Sequence, residues 1–187
     1  MSIHEWEQQL QTKIETVKRL IVDMDGVIAD VYSQYIAYEE METGIRQPMS
    51  ALMGKKEFEG IKKARFYIEQ KGFFRNAPMI EGSLPVMKEL NKKYELFIVS
   101  AAIEFPNSLP EKLEWLGEHL PFITWQQIAF CGSKALIKGD IMIDDHFKNL
   151  DYFTGETILF AQPHNFGMDE KHHKRAENWE EIAKMLL

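Results

Sequence analysis

The chain has 187 residues, 45% of them hydrophobic and 27% charged, the balance of a globular protein with one medium domain, or one domain carrying a small insert. Its formal net charge of −7 and its lack of a basic run exclude a grip on nucleic-acid polymers through their phosphates. No run of about 18 apolar residues occurs, which excludes a spanning helix and membrane partners of that kind. The single cysteine, Cys131, excludes an internal disulfide and suits a reducing, cytoplasmic setting.

In chain order, residues 2–18 place Ile3, Trp6, Leu10, Ile14 and Val17 three and four apart. That spacing predicts an amphipathic helix packed on the core. No charged-then-apolar leader pattern precedes it. Leu20-Ile21-Val22 reads as a buried strand running into Asp23 and Asp25. Residues 33–78 then hold helical patterns over 34–42, 48–54 and 57–70 and no buried strand run. They predict a small helical cap inserted after the first strand, and Pro78 and Gly82 mark the return. The expected division is a core of 1–32 and 79–187 with a cap of 33–78.

Beyond the cap, a helical pattern from Leu84 to Lys92 leads into the apolar run 96–99, which ends at Ser100. A second, from Glu111 to His119, leads into Ile128–Cys131, which ends at Gly132. Ile141-Met142-Ile143 ends at Asp144 and Asp145, and the run 157–160 ends at Ala161-Gln162-Pro163. Short apolar runs alternating with helices predict an α/β fold: a Rossmann-like parallel sheet of about five strands with helices on both faces. Cys131 lies in one of these strands and reads as a small core residue rather than a nucleophile.

In parallel open sheets, ligands bind beyond the carboxyl ends of the strands. Those ends carry Asp23 and Asp25, Ser100, and Asp144 with Asp145, while Lys134 lies just past the third strand. Crowded carboxylates repel and raise one another's pKa. A hard divalent cation with oxygen ligands resolves the conflict, and Mg²⁺ is the usual one where phosphate is the co-ligand. Lys134 adds positive charge for phosphoryl oxygens, and Ser100 offers them a hydrogen bond. Asp23 is then placed to attack phosphorus as a nucleophile. Asp25, two residues on and facing the same way, is placed to protonate the leaving oxygen and later to deprotonate water. Gly26 lets the backbone turn beside the phosphate. Two aspartates alone at a strand end are more often a helix cap or a solvated turn; the ordered set carries the reading.

That ordered set resembles the four motifs of the haloacid dehalogenase superfamily of phosphohydrolases: Asp23-Met24-Asp25-Gly26-Val27, Ser100, Lys134, and Ile143-Asp144-Asp145. More closely, the chain resembles the 5′(3′)-deoxyribonucleotidase family. The matching stretches are 23–30, Gly72-Phe73-Phe74-Arg75, Pro110-Glu111-Lys112, Ser133-Lys134, 140–145, and Leu159-Phe160 with His164-Asn165. The resemblance implies Asp23 as nucleophile and metal ligand, and Asp25 as acid/base lending its carbonyl to Mg²⁺. It implies Asp145 as a further ligand with Asp144 in support, and Ser100 and Lys134 on the phosphate. The implied partner is a small phosphate ester, with a deoxyribonucleoside monophosphate favoured; self-association stays open. Animal members of the family carry an aromatic residue where Val31 stands, a hydroxyl at Ala101 and a basic residue at Gly132, so base and sugar preference differ in their contacts here.

Phe73, Phe74 and Arg75 read equally as a base-stacking group and as the foot of the cap. Tyr32, Tyr35 and Tyr38 share a helix face and read first as packing. His164-Asn165 reads as a turn or as a border of the site. His172-His173, between lysines, reads as a solvated face rather than a metal site. Three rival functions share the features. A phosphatase for sugar phosphates would use the same residues. A signalling receiver carries its acidic pair on the first strand, whereas here the adjacent pair comes last. A ligand-binding relative would lack a catalytic carboxylate, and none is missing.

Overall fold

The computed structural model describes residues 17–56 and 58–187. The helix expected over 2–18 falls outside them except for Val17 and Lys18, which are not helical. Six strands form one sheet: β1 (Arg19–Val22), β2 (Glu95–Ser100), β3 (Ile128–Phe130), β4 (Ile141–Asp144), β5 (Glu156–Phe160) and β6 (Lys174–Ala176). Their order is β3-β2-β1-β4-β5-β6, and every neighbouring pair is parallel. The expectation of about five strands missed β6. It is an edge strand with only Ala176 buried, so it has no run of apolar residues to mark it.

Strand periodicity splits the core in two. On one face Leu20, Val22, Leu96, Ile98, Ile143 and Ile158 meet Met87 and Leu90 of α3 (Ser83–Lys93), Trp115 of α4 (Ser108–His119) and Trp179 of α6 (Trp179–Leu186). On the other, Ile21, Val99, Met142 and Leu159 meet Leu150 of the short α5 (Phe147–Leu150) and Phe153 beyond it. Both deep indoles donate to backbone carbonyls: Trp179 Nε1 to Val27 O and Trp115 Nε1 to Ala77 O, each at 2.7 Å. Polar tips in a dry core need such partners.

The segment after β1 leaves and returns side by side. Asp30 N donates to Pro78 O, and Ile80 N to Ile28 O. Between them lie α1 (Val31–Thr43) and α2 (Ala64–Ile68). Asp30 caps α1 by accepting from Ser33 N at 2.8 Å, and Gly44 ends it in the left-handed conformation. Tyr35, Leu52, Ile61, Tyr67, Phe73 and Phe74 form a separate apolar cluster here. The helix expected over 57–70 shrinks to α2, and that expected over 48–54 to a single 3₁₀ turn. Gly60 packs so closely that an added Cβ would stand 2.6 Å from Leu52, and the chain turns there instead of continuing a helix.

Candidate active site

β1 is the third strand of the order, flanked by β2 and β4. Register sets Val22 opposite Ile98 and Ile143. Asp23, Ser100 and Asp144 therefore meet at one rim, where the strand order reverses. Asp23 N donates to Ile143 O at 2.9 Å, which locks the first acidic loop to β4.

Lys134 Nζ, fully buried, lies 2.6 Å from both Asp23 Oδ1 and Asp144 Oδ2. Burial would lower its pKa, but the two carboxylates outweigh that and raise it. Asp144 also accepts from Asn149 Nδ2 at 3.0 Å and His146 N at 2.9 Å. Its burial opposes ionisation, yet Lys134 and Asn149 hold its carboxyl below the ordinary value. Asp23 fares differently. Burial pushes its carboxyl up to about 7; Lys134 works against the shift, and Asp144 and Asp25 add to it.

Asp25 Oδ2 accepts from Lys112 Nζ and lies 3.5 Å from Ser100 Oγ. Lys112 Nζ also donates to Ser100 Oγ at 2.9 Å and sits 4.6 Å from the centre of the Phe74 ring. Asp25 Oδ1 is buried with no hydrogen-bond partner among the described residues. Lys112 escaped the sequence reading as a site residue. It shares a face of α4 with Glu111, Trp115 and Leu116, all buried, and a buried lysine needs a charge partner; that burial comes from the packing of α4 and is not marked in the local sequence.

The set fits a divalent cation. Carboxylate oxygens of Asp23, Asp144 and Asp145 lie within 4.8 Å of one another. Four carboxyl groups share two ammonium groups at the floor, an excess of acidic oxygens that a cation would balance. Such hard oxygen donors suit Mg²⁺. His146 and His164 stack at 4.2 Å beside Asp145. Burial holds His146 down to about 3 and lowers His164 as well, so the rings add no positive charge.

Above this floor opens a cavity of about 150 Å³. Tyr32, Tyr35, Phe58, Phe74 and Phe105 wall it, and Glu104 and Lys148 stand among its lining residues. Val31 and Ala101 line it too. Tyr32 and Tyr35 thus serve both packing and wall, Tyr38 packs against the apolar cluster alone, and Phe73 and Phe74 divide the roles held level above. Phe73 is core, Phe74 is wall, and Arg75 pairs with Glu114 and Glu118. Two expectations need correction. His173 is buried, bonded to Thr157 Oγ1 at 2.7 Å, because it packs under Phe147 as β6 joins the sheet; His172 is exposed as expected. Cys131 is half-buried just beyond the end of β3, not within it.

A family model described as 5′ nucleotidase, deoxy (pyrimidine), cytosolic type C matches residues 16–187. The chain belongs to this nucleotidase family. A 5′(3′)-deoxyribonucleotidase of Bacillus subtilis is 41% identical over 172 residues, which cover 91% of this chain and 99% of the relative. One of Bacillus phage SPbeta matches with the same identity and coverage. Among solved structures, a haloacid dehalogenase-like hydrolase of Streptococcus pneumoniae shares the fold with a TM-score of 0.59 at 13% identity, covering 91% of this chain and 99% of that one. A haloacid dehalogenase-type hydrolase of Bacillus subtilis bound to magnesium also has a TM-score of 0.59 at 13% identity, over 91% and 98%. The nucleotidase family makes the chain a phosphoric monoester hydrolase. No helix among its described residues is long and apolar enough to cross a membrane.

Proposed function

We propose that the chain is a Mg²⁺-dependent 5′(3′)-deoxyribonucleotidase that works through an aspartyl-phosphate on Asp23. The observation that carries the proposal is the carboxylate floor beneath an aromatic-walled cavity. Asp23, Asp145 and the backbone at Asp25 would hold the cation, with Asp144 fixed beside them by Lys134 and Asn149. Bound there, Mg²⁺ supplies positive charge against the phosphoryl oxygens and keeps Asp23 ionised.

Asp23 attacks phosphorus, and the ester P–O bond breaks as Asp25 gives its proton to the leaving oxygen. Asp25 then takes a proton from water, the water oxygen attacks phosphorus, and phosphate leaves Asp23 restored. Ser100 and Lys134 are the phosphate's hydrogen-bond and charge partners, and Gly26 leaves room for the turn beside it. Residues 33–78 act as the cap over the core of 1–32 and 79–187, with the aromatic wall excluding water and stacking on the base. The lone cysteine and the acidic surface suit a cytoplasmic enzyme.

Names of the relatives support a deoxyribonucleoside monophosphate as substrate. A panel of phosphate esters, including nucleotides with and without the 2′-hydroxyl, tests it. Deoxyribonucleotides should show the highest kcat/KM, with activity dependent on Mg²⁺ and lost in Asp23→Asn. A preference for sugar phosphates would overturn the substrate and leave the chemistry. Wild-type rates in Asp23→Asn would overturn the nucleophile.

A further inference from the structure

The loop after β5 reaches both acidic loops without lining the cavity itself. Gln162 Nε2 donates to Gly26 O, behind the first acidic pair. His164 Nε2 and Asn165 Nδ2 each lie 2.9 Å from Asp145 O. A carbonyl offers two lone pairs, so these two donors occupy both and fix the peptide from which the Asp145 side chain departs. Asp145 O can only accept, so His164 carries its proton on Nε2. Its Nδ1 then accepts from Tyr32 O–H at 3.0 Å, tying the ring to α1.

Asn165 is fully buried. Its Oδ1 accepts from Gln162 N at 3.0 Å and from Arg175 Nη2 of β6 at 3.2 Å, and its Nδ2 also donates to Phe160 O at 2.8 Å. Every polar atom of this amide is therefore spoken for, and its orientation is set. The two loops it helps to hold are packed tightly: Asp145 Oδ2 lies 2.2 Å from where a Cβ on Gly26 would stand.

We infer that Gln162, His164 and Asn165 form a bracket that positions Asp145 and the Gly26 turn for the metal, with His164 as the positioning residue at its centre. The inference rests on the Mg²⁺ reading above. It assigns β5 and β6, which contribute no residue to the carboxylate floor, a part in setting metal affinity. Tyr32 extends the bracket from the metal loop to the wall of the substrate cavity. Groups that orient metal ligands from behind are commonly worth ~10-fold or more in metal affinity.

The test is Mg²⁺ titration by calorimetry on the full chain, alongside thermal melting in EDTA. His164→Phe keeps a ring and removes both hydrogen bonds. It should bind Mg²⁺ ~10-fold more weakly while melting in EDTA near the wild type. His164→Gln, whose amide nitrogen can reach the place of Nε2, should recover most of that affinity. Gln162→Leu should shift it in the same direction by less. Wild-type Mg²⁺ affinity in His164→Phe would overturn the bracket. So would equal loss in the Phe and Gln variants together with a lowered melting point in EDTA, which marks a packing role only. Should His164→Phe fail to fold, Gln162→Leu decides, and unchanged affinity there overturns the bracket. If the wild type and Asp145→Asn bind Mg²⁺ alike, the metal reading itself has failed and the bracket falls with it.

Discussion

Gly26 sits at φ +71°, with Asp145 Oδ2 2.2 Å from the position a Cβ would take. Left-handed backbone costs a residue with a Cβ ~1–2 kcal/mol, and here the methyl would also drive Asp145 out of place. Gly26→Ala should therefore lose about that much stability in urea unfolding and lose Mg²⁺-dependent turnover as well. Its neighbour Asp25 should separate those two effects. Its side chain is partly exposed and bonded to Lys112 and Ser100, so Asp25→Asn should fold normally. Losing a positioned acid/base should lower kcat by about 10²–10⁴-fold, measured at saturating Mg²⁺ and substrate. An unchanged kcat would sink its proton-transfer role. Both residues could be singled out from the motif alone. Their partners Lys112 and Gln162 could not, because their importance comes from what the fold sets opposite them.

At the scale of elements, α4 does two jobs in one turn. Lys112 holds Asp25, while Glu111 accepts backbone N–H from Gly72 at 2.7 Å and from Phe74 and Arg75 at 3.1 Å. The helix thereby holds the stretch 72–75 with one residue and Asp25 with the next. Glu111→Ala strands these donors, of which Phe74 N is the most deeply placed. A loss of about 2 kcal/mol follows, with a raised KM as Phe74 leaves the cavity wall. A variant with wild-type melting and KM would show that this hold is dispensable. The helical period of α4 and its apolar face were legible in the sequence. That Glu111 and Lys112 belong to this buried face, each with its own partner, was not. Charged residues at such positions read as solvated until the partner elements are in place. The shortened α2 has a similar cause: close packing at Gly60 overrides a local helical pattern.

Across the whole molecule, the stretch leading into β6 is tied to the turn after α5 by polar contacts. Asp151, just beyond α5, accepts from Lys171 Nζ at 2.7 Å and pairs with His173 at 3.1 Å, and these partners hold its carboxyl below its ordinary 3.8. A carboxyl depressed in the folded state adds stability that is present above the unfolded value and lost as pH falls through the folded one. Asp151→Asn should accordingly lower the melting temperature at pH 7 by a small margin. The gap to wild type should narrow as the pH falls below 3.8 and close only once it is below the depressed folded value. A gap that persisted in acid would mean that the side chain acts through packing instead.

The strand ends, the four carboxylates, Ser100 and Lys134 were determined by the sequence itself. Short apolar runs and the residues that end them are local signals, and a parallel sheet must place such ends on one rim. Only the tertiary structure decided how they meet. Strand order sets Asp23 between Ser100 and Asp144. Folding α4 over the site brings Lys112 to Asp25, and adding β6 brings Arg175 behind the loop that grips Asp145. The pairing of Lys112 with Asp25 joins residues 87 positions apart. No local pattern encodes such distances, because they follow from how complete elements pack.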